Sequence, residues 1–560
     1  MGAENRPTGY GGRGVQGGTR MKRKLLLALG LALALTLCVS AALAAGVAKI
    51  GPTEYATFDE AVAAAADGDT IELLEDTTTV NGIGIGGKTL TIDGKGHKLD
   101  FNTYGIYLAK GTVPAVLTFE NCDIVMNPVQ GTPTVWGERY SWAEIVINFD
   151  CVLNLKKSTF QMEGGDGLPG TGVYYHEGSK VNLDQSSMVV KNMKSNAFSA
   201  DVKDEGKVYT SELNVLNGSR LETSGCYAGL TAALQITVDA STLINSNQRG
   251  NASNGADYYI SNGSVVDISG NGSNGMSARH ITISNSTLTC NNNGLRGIIF
   301  YGKGEFLNSQ VTITGTKGKS YWCAGMRLSS SSATGFVDKK TRLTIRDNPV
   351  TGLFLDAGAQ FTVEEGADVL ITCNHAEQAN CTTEKELARK GGGIVVRSSA
   401  EAVLSVSTKL YNNHAKLMGD DIYVEDGGTI TFGKTGENWK LDGGPDCYGA
   451  IHAIDGWYED GLNNKGLRWN ADAEDAADRY IHWYDCGTYQ GTLALKAAHD
   501  VIPVVTATPV PTNTPVPTNT PAPIDPPQSG DNSTPLTWLC ALLACAACLT
   551  VLRFSRKRRA

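Results

Sequence analysis

One short pattern recurs through the middle of the chain and limits its fold more than any other feature. It appears as LTIDGKGHKLDF from Leu90, LTFENCDIVM from Leu117, LNLKKSTFQM from Leu153, VNLDQSSMVV from Val181 and LNVLNGSRLET from Leu213. ITVDASTLINSN from Ile236 and ITISNSTLTCNNN from Ile281 continue it, with later echoes in RLTIRDNPVTGLF, AQFTVEEGADVLITCN and AVLSVSTKLYNN. Each copy has an alternating apolar triplet, a polar turn of two to four residues and a second apolar pair. Alternation with period two gives a strand with one buried face and one wet face. Successive copies begin about 20 to 37 residues apart, the range of one supersecondary coil. No helical periodicity separates them, so strand–helix–strand units are excluded.

The economical solution is an all-β solenoid, a parallel β-helix in which each coil pairs edge to edge with the one before. Crossover chirality makes the right-handed form the expectation. Stacking would also set Asn, Ser and Thr of equivalent turns above one another in ladders. The competing architecture is a β-sandwich of hairpins, for which Asn217-Gly218 and Asn262-Gly263 offer two-residue turns. The polar turns, however, sit inside each repeat while the intervals vary, as expected when loops bulge from one side of a solenoid.

A solenoid exposes apolar interior at both ends unless something covers them. At the front, Phe58, Ala61, Val62 and Ala65 fall at helical spacing, Asp67-Gly68-Asp69 ends the helix, and Thr70 to Leu74 follows as a strand. Residues 45–80 are therefore expected to form an N-terminal cap on a β-helix spanning 81–435. After 436 the texture changes. Four of the eight tryptophans lie between 439 and 483, and a short helix is expected over 471–480. We read 436–500 as an aromatic C-terminal cap; a small sugar-binding module is the alternative.

The coils, the GGGIVVRSS segment from Gly391 and the NNHAKLMGDDIYV segment from Asn412 resemble the pectin-lyase-like right-handed parallel β-helix proteins over roughly residues 50–435. The opening ATFDEAVAAAADGDTIELLED is similar to the leading helix of surface proteins of this type. The resemblance implies the fold. Activity does not follow, because that superfamily mixes lyases, hydrolases and non-catalytic adhesins.

Both ends of the chain speak of export. From Met21, Lys22, Arg23 and Lys24 precede an apolar stretch closing on small residues at Ala44, a secretory signal with cleavage after Ala44. Residues 1–44 thus comprise an upstream extension and a signal peptide. Residues 501–525 include TATPVPTNTPVPTNTPAP, an extended Thr/Pro spacer of about 3 Å per residue. Over 526–560, PPQSG is followed by an apolar run from Leu536 to Leu552 and then Arg553, Arg556, Lys557, Arg558 and Arg559. With the signal peptide and spacer, this resembles a sortase sorting signal of Gram-positive cell-wall proteins. Pro526, Pro527, Gln528, Ser529 and Gly530 stand at its Leu-Pro-x-Thr-Gly positions, with Pro for Leu and Ser for Thr. The resemblance implies a sortase as partner, cleavage after Ser529 and covalent attachment to peptidoglycan, the apolar run holding the chain in the membrane beforehand. Retention as a transmembrane anchor is the alternative.

Of 48 basic and 57 acidic residues, eleven and two lie in 1–44 and 530–560, so the body between keeps 37 and 55, a net charge of −18. Such a body repels nucleic acid. Nine cysteines remain between those ends. Cys373 with Cys381 and Cys447 with Cys486 would close plausible disulfide loops, and the others read as small buried apolar residues. No histidine–cysteine spacing calls for a metal, and no cofactor motif is present.

A hydrolase on this fold needs clustered carboxylates, one to protonate the leaving oxygen and one to activate water. Asp420-Asp421 is the acid pair in sight, but the Gly-His-Gly and Arg-Ile-Lys segments of pectin-degrading hydrolases do not follow it. The Arg-x-Pro-x-x-Arg motif of pectate lyases is also missing, since Arg346-Asp347-Asn348-Pro349 misplaces the proline. Asp420 and Asp421 read first as turn residues, and His97, His280, His375 and His414 as isolated. The binding candidates are loop aromatics: Trp136, Arg139, Tyr140 and Trp142, then Tyr174 and Tyr175 beside His176, then Tyr321 and Trp322. They would stack on sugar rings or a host protein; folding back onto the solenoid wall is the plain alternative. The leading expectation is a wall-displayed, non-catalytic adhesin that binds an extracellular glycan or host surface. A tethered polysaccharide lyase or hydrolase with a divergent site, and a purely structural stalk, are the alternatives.

Overall fold

A computed structural model describes residues 46–128, 143–165, 170–201, 210–231, 234–318, 322–376, 387–431, 441–445, 451–461, 468–469 and 488–501. The chain coils as a parallel β-helix with three walls. One coil runs Val152–Lys156 in the first sheet, Thr159–Glu163 in the second and Thr171–Tyr175 in the third, then returns to the first at Lys180–Asp184. The repeat read from sequence is the corner between the first two walls: the triplet lies in the first sheet and the apolar pair in the second.

Register fixes the core. Leu117 stands beside Leu153, then Val181, Leu213, Ile236, Tyr258 and Ile281 along the first sheet, all with side chains inside. Each fully buried aliphatic side chain contributes about 1.5–3 kcal/mol, before the chain entropy that opposes it.

The corners are built by two residues in succession. Asn121, Lys157, Gln185, Asn217, Ala240, Asn262, Asn285 and Asn308 turn the chain from the first to the second sheet with φ between 46° and 57°. Asparagine tolerates this left-handed conformation best among residues with side chains. Just beyond comes a buried hydroxyl ladder. The backbone N–H groups of Ser158, Ser186, Ser219, Ser241, Ser264 and Ser286 each donate to the hydroxyl of the next coil's serine, at 3.0–3.2 Å. Ser309 donates likewise to Thr341. Each serine thus satisfies a donor that would otherwise be orphaned inside the wall.

A second ladder lines the next corner. Asn271 donates to Asn293 Oδ1, Asn348 to Asn374 and Asn374 to Asn413, each through both its backbone N–H and its side-chain amide, at 2.8–3.2 Å. The sequence had raised the possibility of such ladders; here they carry much of the corner hydrogen bonding.

The ends are closed. Thr57 and Glu60 form a capping box on the helix Phe58–Ala64, which buries Phe58 and Ala61 on the first coil, with Val62 only partly covered. Ala48–Ile50 pairs antiparallel with Thr70–Leu73, blunting the first sheet's edge. At the other end Ile422–Val424 and Thr429–Thr431 pair antiparallel with Leu493–Val501 and Thr488–Gln490. Leu493–Val501 pairs in turn with Ile451–Glu459, and Trp457 is buried in the core. The helix expected over 471–480 lies outside the described residues.

Cysteine behaves as expected of a small apolar residue: Cys122, Cys151, Cys226, Cys290 and Cys323 are buried. Cys373 is disulfide-bonded; Cys381, Cys447 and Cys486 lie outside the described residues. Among the described residues no helix is long and apolar enough to cross a membrane, and 536–552 is not among them.

Candidate ligand-binding face

The third sheet carries the most distinctive group of polar side chains. Along its outer side Val146 stands beside Tyr174, and Tyr174 beside Ser199. Where these strands leave the sheet, His176 N–H donates to the Ile147 carbonyl at 2.9 Å and Asp201 N–H to the Tyr175 carbonyl at 3.1 Å. That pairing sets Tyr174, His176 and Asp201 together. The Tyr174 phenol donates to Asp201 Oδ1, and His176 Nδ1 lies 2.8 Å from Asp201 Oδ2.

The carboxylate thus holds two partners, and it favours the tautomer with the His176 proton on Nδ1. Phe149, from the coil before, stacks on the imidazole with ring centroids 4.9 Å apart and planes at 29°. Tyr174 meets the same imidazole edge-on at 5.2 Å. His176 is buried, yet Phe149 is 46% exposed. The result is an open aromatic face backed by a fixed His–Asp–Tyr network. A flat ring of this kind suits the apolar face of a sugar, and the carboxylate and phenol suit its hydroxyls.

The candidates named from sequence fare differently. Tyr174 belongs to this group. Tyr175 does not line a binding loop: alternation along Thr171–Tyr175 turns it into the core, fully buried against Phe198 at 6.3 Å. Trp322 is partly exposed, and its carbonyl oxygen accepts from Arg296 and Arg327. Trp136, Arg139, Tyr140, Trp142 and Tyr321 lie outside the described residues, as do Ala44 and the Pro526–Gly530 segment. Phe149 and Asp201 were not anticipated. Phe149 sits in the unremarkable stretch NFDCV, and pairing across adjacent coils, invisible to any single motif, gives it meaning.

Asp420 and Asp421 both accept hydrogen bonds from backbone or amide donors. The backbone N–H and side-chain amide of Asn413 donate to Asp421 Oδ1 at 3.0 and 2.8 Å, and Ala497 N–H donates to Oδ2 at 2.6 Å. Asp421 therefore ends the asparagine ladder and ties it to the C-terminal strands. Asp420 accepts from Ala415 N–H at 2.8 Å, and its own N–H donates to Asp460. Desolvation raises the pKa of both, that of Asp421 to about 7.

A further unanticipated acid lies in a column of small residues. Strand register aligns Gly82, Gly105, Glu144, Gly172, Ala197, Gly229, Ala252, Gly275, Gly297, Gly325, Gly352, Gly393 and Asp421 at the corner entering the third sheet. Side chains there run into the interior: a Cβ on Gly297 would meet Ile313 Cγ2 at 2.4 Å. Glu144 occupies this position nonetheless, between Gly105 and Gly172. It is 1% exposed, Oε2 has no hydrogen-bond partner, and burial pushes its pKa up to about 8.

No protein-family model matches the chain, and no curated protein or solved structure matches it. Among the described residues no group of three or more His, Cys, Asp and Glu side chains is placed to hold a metal ion.

Proposed function

We propose that this protein is an exported, cell-surface β-helix that binds an extracellular glycan without cleaving it. The observation that carries the reading is the exposed Phe149 ring stacked on the His176–Asp201–Tyr174 network. A rigid aromatic stacked on a buried imidazole loses little entropy when it meets a ligand. The coil motifs' likeness to pectin-lyase-like surface proteins is consistent with display of this kind. The non-catalytic reading is supported by the engagement of the acids. Asp201 is held by a phenol and an imidazole, and Asp420 and Asp421 are spent in the C-terminal closure, which leaves none of them placed to pair as acid and base.

Export and display rest on the sequence: the signal ending at Ala44, the Thr/Pro spacer, the PPQSG segment, the apolar run and the basic tail. In this reading a sortase joins Ser529 to peptidoglycan in a Gram-positive wall. Mass spectrometry of wall digests from cells expressing the full chain would find a C-terminal peptide ending at Ser529 linked to a wall amine.

Binding is tested by screening the mature chain on a glycan array and repeating the positive glycans with Phe149→Ala. Loss of binding in a variant that keeps the wild-type melting temperature supports the site. Release of reducing or unsaturated ends would make the protein an enzyme instead, with His176 and Tyr174 as the residues to test first.

A further inference from the structure

Arg279, Arg327 and Arg397, along the third sheet and its flanks, are matched to carboxylates, whereas Arg249, Arg296 and Arg389 have no acidic partner among the described residues, Arg249 donating to the Met193 and Lys194 carbonyls. Arg279 Nε donates to Asp257 at 3.0 Å, Arg397 Nε to Glu425 at 3.1 Å, and Arg327 grips Asp356 through Nε and Nη2 at 2.6–2.9 Å. Arg296 has no acidic partner among the described residues. Its Nε donates to the Trp322 carbonyl at 3.1 Å and its Nη1 to Asn274 Oδ1 at 2.9 Å, both neutral acceptors.

Arg327 Nη1 donates to that same Trp322 carbonyl at 2.9 Å, so one oxygen receives hydrogen bonds from two cationic side chains. Asp356 pairs directly with Arg327, whereas Arg296 makes no ion pair among the described residues and feels Asp356 only at a distance. Burial and the neighbouring Arg327 hold the Arg296 pKa below its ordinary value. Tyr301, 42% exposed, follows the strand Ile298–Phe300 that Arg296 leads into. A partly desolvated guanidinium with only neutral partners is expensive, and the missing element is an anion.

We propose that Arg296, with Asn274 and the Trp322 carbonyl orienting its fork, is a binding site for one oxyanion group, the carboxylate or sulfate ester of an acidic extracellular polymer. The body's net charge of −18 makes this selective, since only a locally uncompensated cation draws an anion to such a surface. The site stands independently of the Phe149 platform. It lies on the same wall, six rungs beyond that of Phe149, or about 29 Å at about 4.8 Å per rung, so one extended polymer along the solenoid would reach both.

The test measures melting temperature of the full mature chain in sodium sulfate, sodium acetate and sodium chloride at matched ionic strength. The variants are Arg296→Gln, Arg327→Gln and, as a control on another wall, Arg342→Gln. Sulfate or acetate is expected to raise the wild-type value above that in chloride, and the effective arm identifies the oxyanion. Arg296→Gln should lose that increment, with titrated affinity about tenfold weaker or below detection. In chloride Arg296→Gln should melt no lower than wild type, because an unbalanced charge is removed, whereas Arg327→Gln should melt lower because Asp356 loses its partner. An equal response to oxyanions in wild type and Arg296→Gln, or a fall in chloride as large as that of Arg327→Gln, would overturn the assignment and make Arg296 a neutral cross-link between Asn274 and Trp322.

Discussion

Glu144 makes the stability of this solenoid depend on pH in a direction opposite to that of an ion-paired acid. In the folded chain its carboxyl titrates near pH 8; in the unfolded chain it titrates near 4.5. Between those values the native state holds a proton that the unfolded state has released. The difference in bound protons makes stability fall as pH rises through that window, and the full contribution is present only below about pH 4.5. At about 1.4 kcal/mol per pH unit, the loss across the window is at most roughly 4–5 kcal/mol. Asp421, shifted from 3.8 to about 7, acts in the same direction between those values.

The perturbation is Glu144→Gln, which keeps the shape and removes the ionisation. Melting temperatures of the wild-type and variant chains, followed by calorimetry from about pH 4.5 to pH 9, should be similar at the acid end, diverge steadily up to about pH 8 and run parallel above it, the variant being the more stable at high pH. Adding Asp421→Asn should change the slope further in the pH 4–7 range. Parallel pH profiles for wild type and Glu144→Gln would refute the reasoning. They would mean that the buried carboxyl finds a partner or a path to water on ionising.

Other consequences are as specific. Ser241→Ala takes away the acceptor that Ser219 N–H meets at 3.1 Å inside the wall, so it should cost about 1–3 kcal/mol in thermal unfolding, while Ser332→Ala on an exposed turn costs almost nothing. Gly297→Ala places a Cβ 2.4 Å from Ile313 and 2.7 Å from the Gly325 carbonyl, and should destabilise by about 1–3 kcal/mol or more, with reduced soluble yield. Phe149→Ala, at a half-exposed ring, should leave the melting temperature within about 1–2 °C of wild type while abolishing the strongest glycan-array signals. Asp201→Asn keeps the hydrogen-bonding shape but removes the charge that orients His176, and should weaken the same signals without unfolding the chain.

The coil was legible because its rule is local. Alternation in LNVLNGSRLET decides which residues face inward, and the Asn-Gly between its two halves supplies the left-handed corner, so a few consecutive residues specify one rung's turn. The N-terminal helix was legible for the same reason: Phe58, Ala61, Thr57 and Glu60 lie within a few positions of one another. The functional groups were not, since each depends on partners a whole coil away. Phe149, His176 and Asp201 come from three successive rungs, and Arg296 stands out only because the carboxylates that pair with Arg279 and Arg327 make no ion pair with it. Tyr175 shows the reverse error, a loop-like aromatic pair in which strand parity sent one ring outward and the other into the core.

By itself, then, the sequence determined the architecture: period-two alternation interrupted at regular corners leaves apolar edges that only stacking on another coil can bury. The tertiary structure decided register, and through register everything chemical. It set Glu144 and Asp421 in one column of small residues, made Asp421 the terminus of an amide ladder, and left Arg296 with neutral hydrogen-bond partners. Register is a property of pairs of coils, fixed by which buried side chains fit beside one another and by how many residues each intervening loop contains, and no single repeat carries that information.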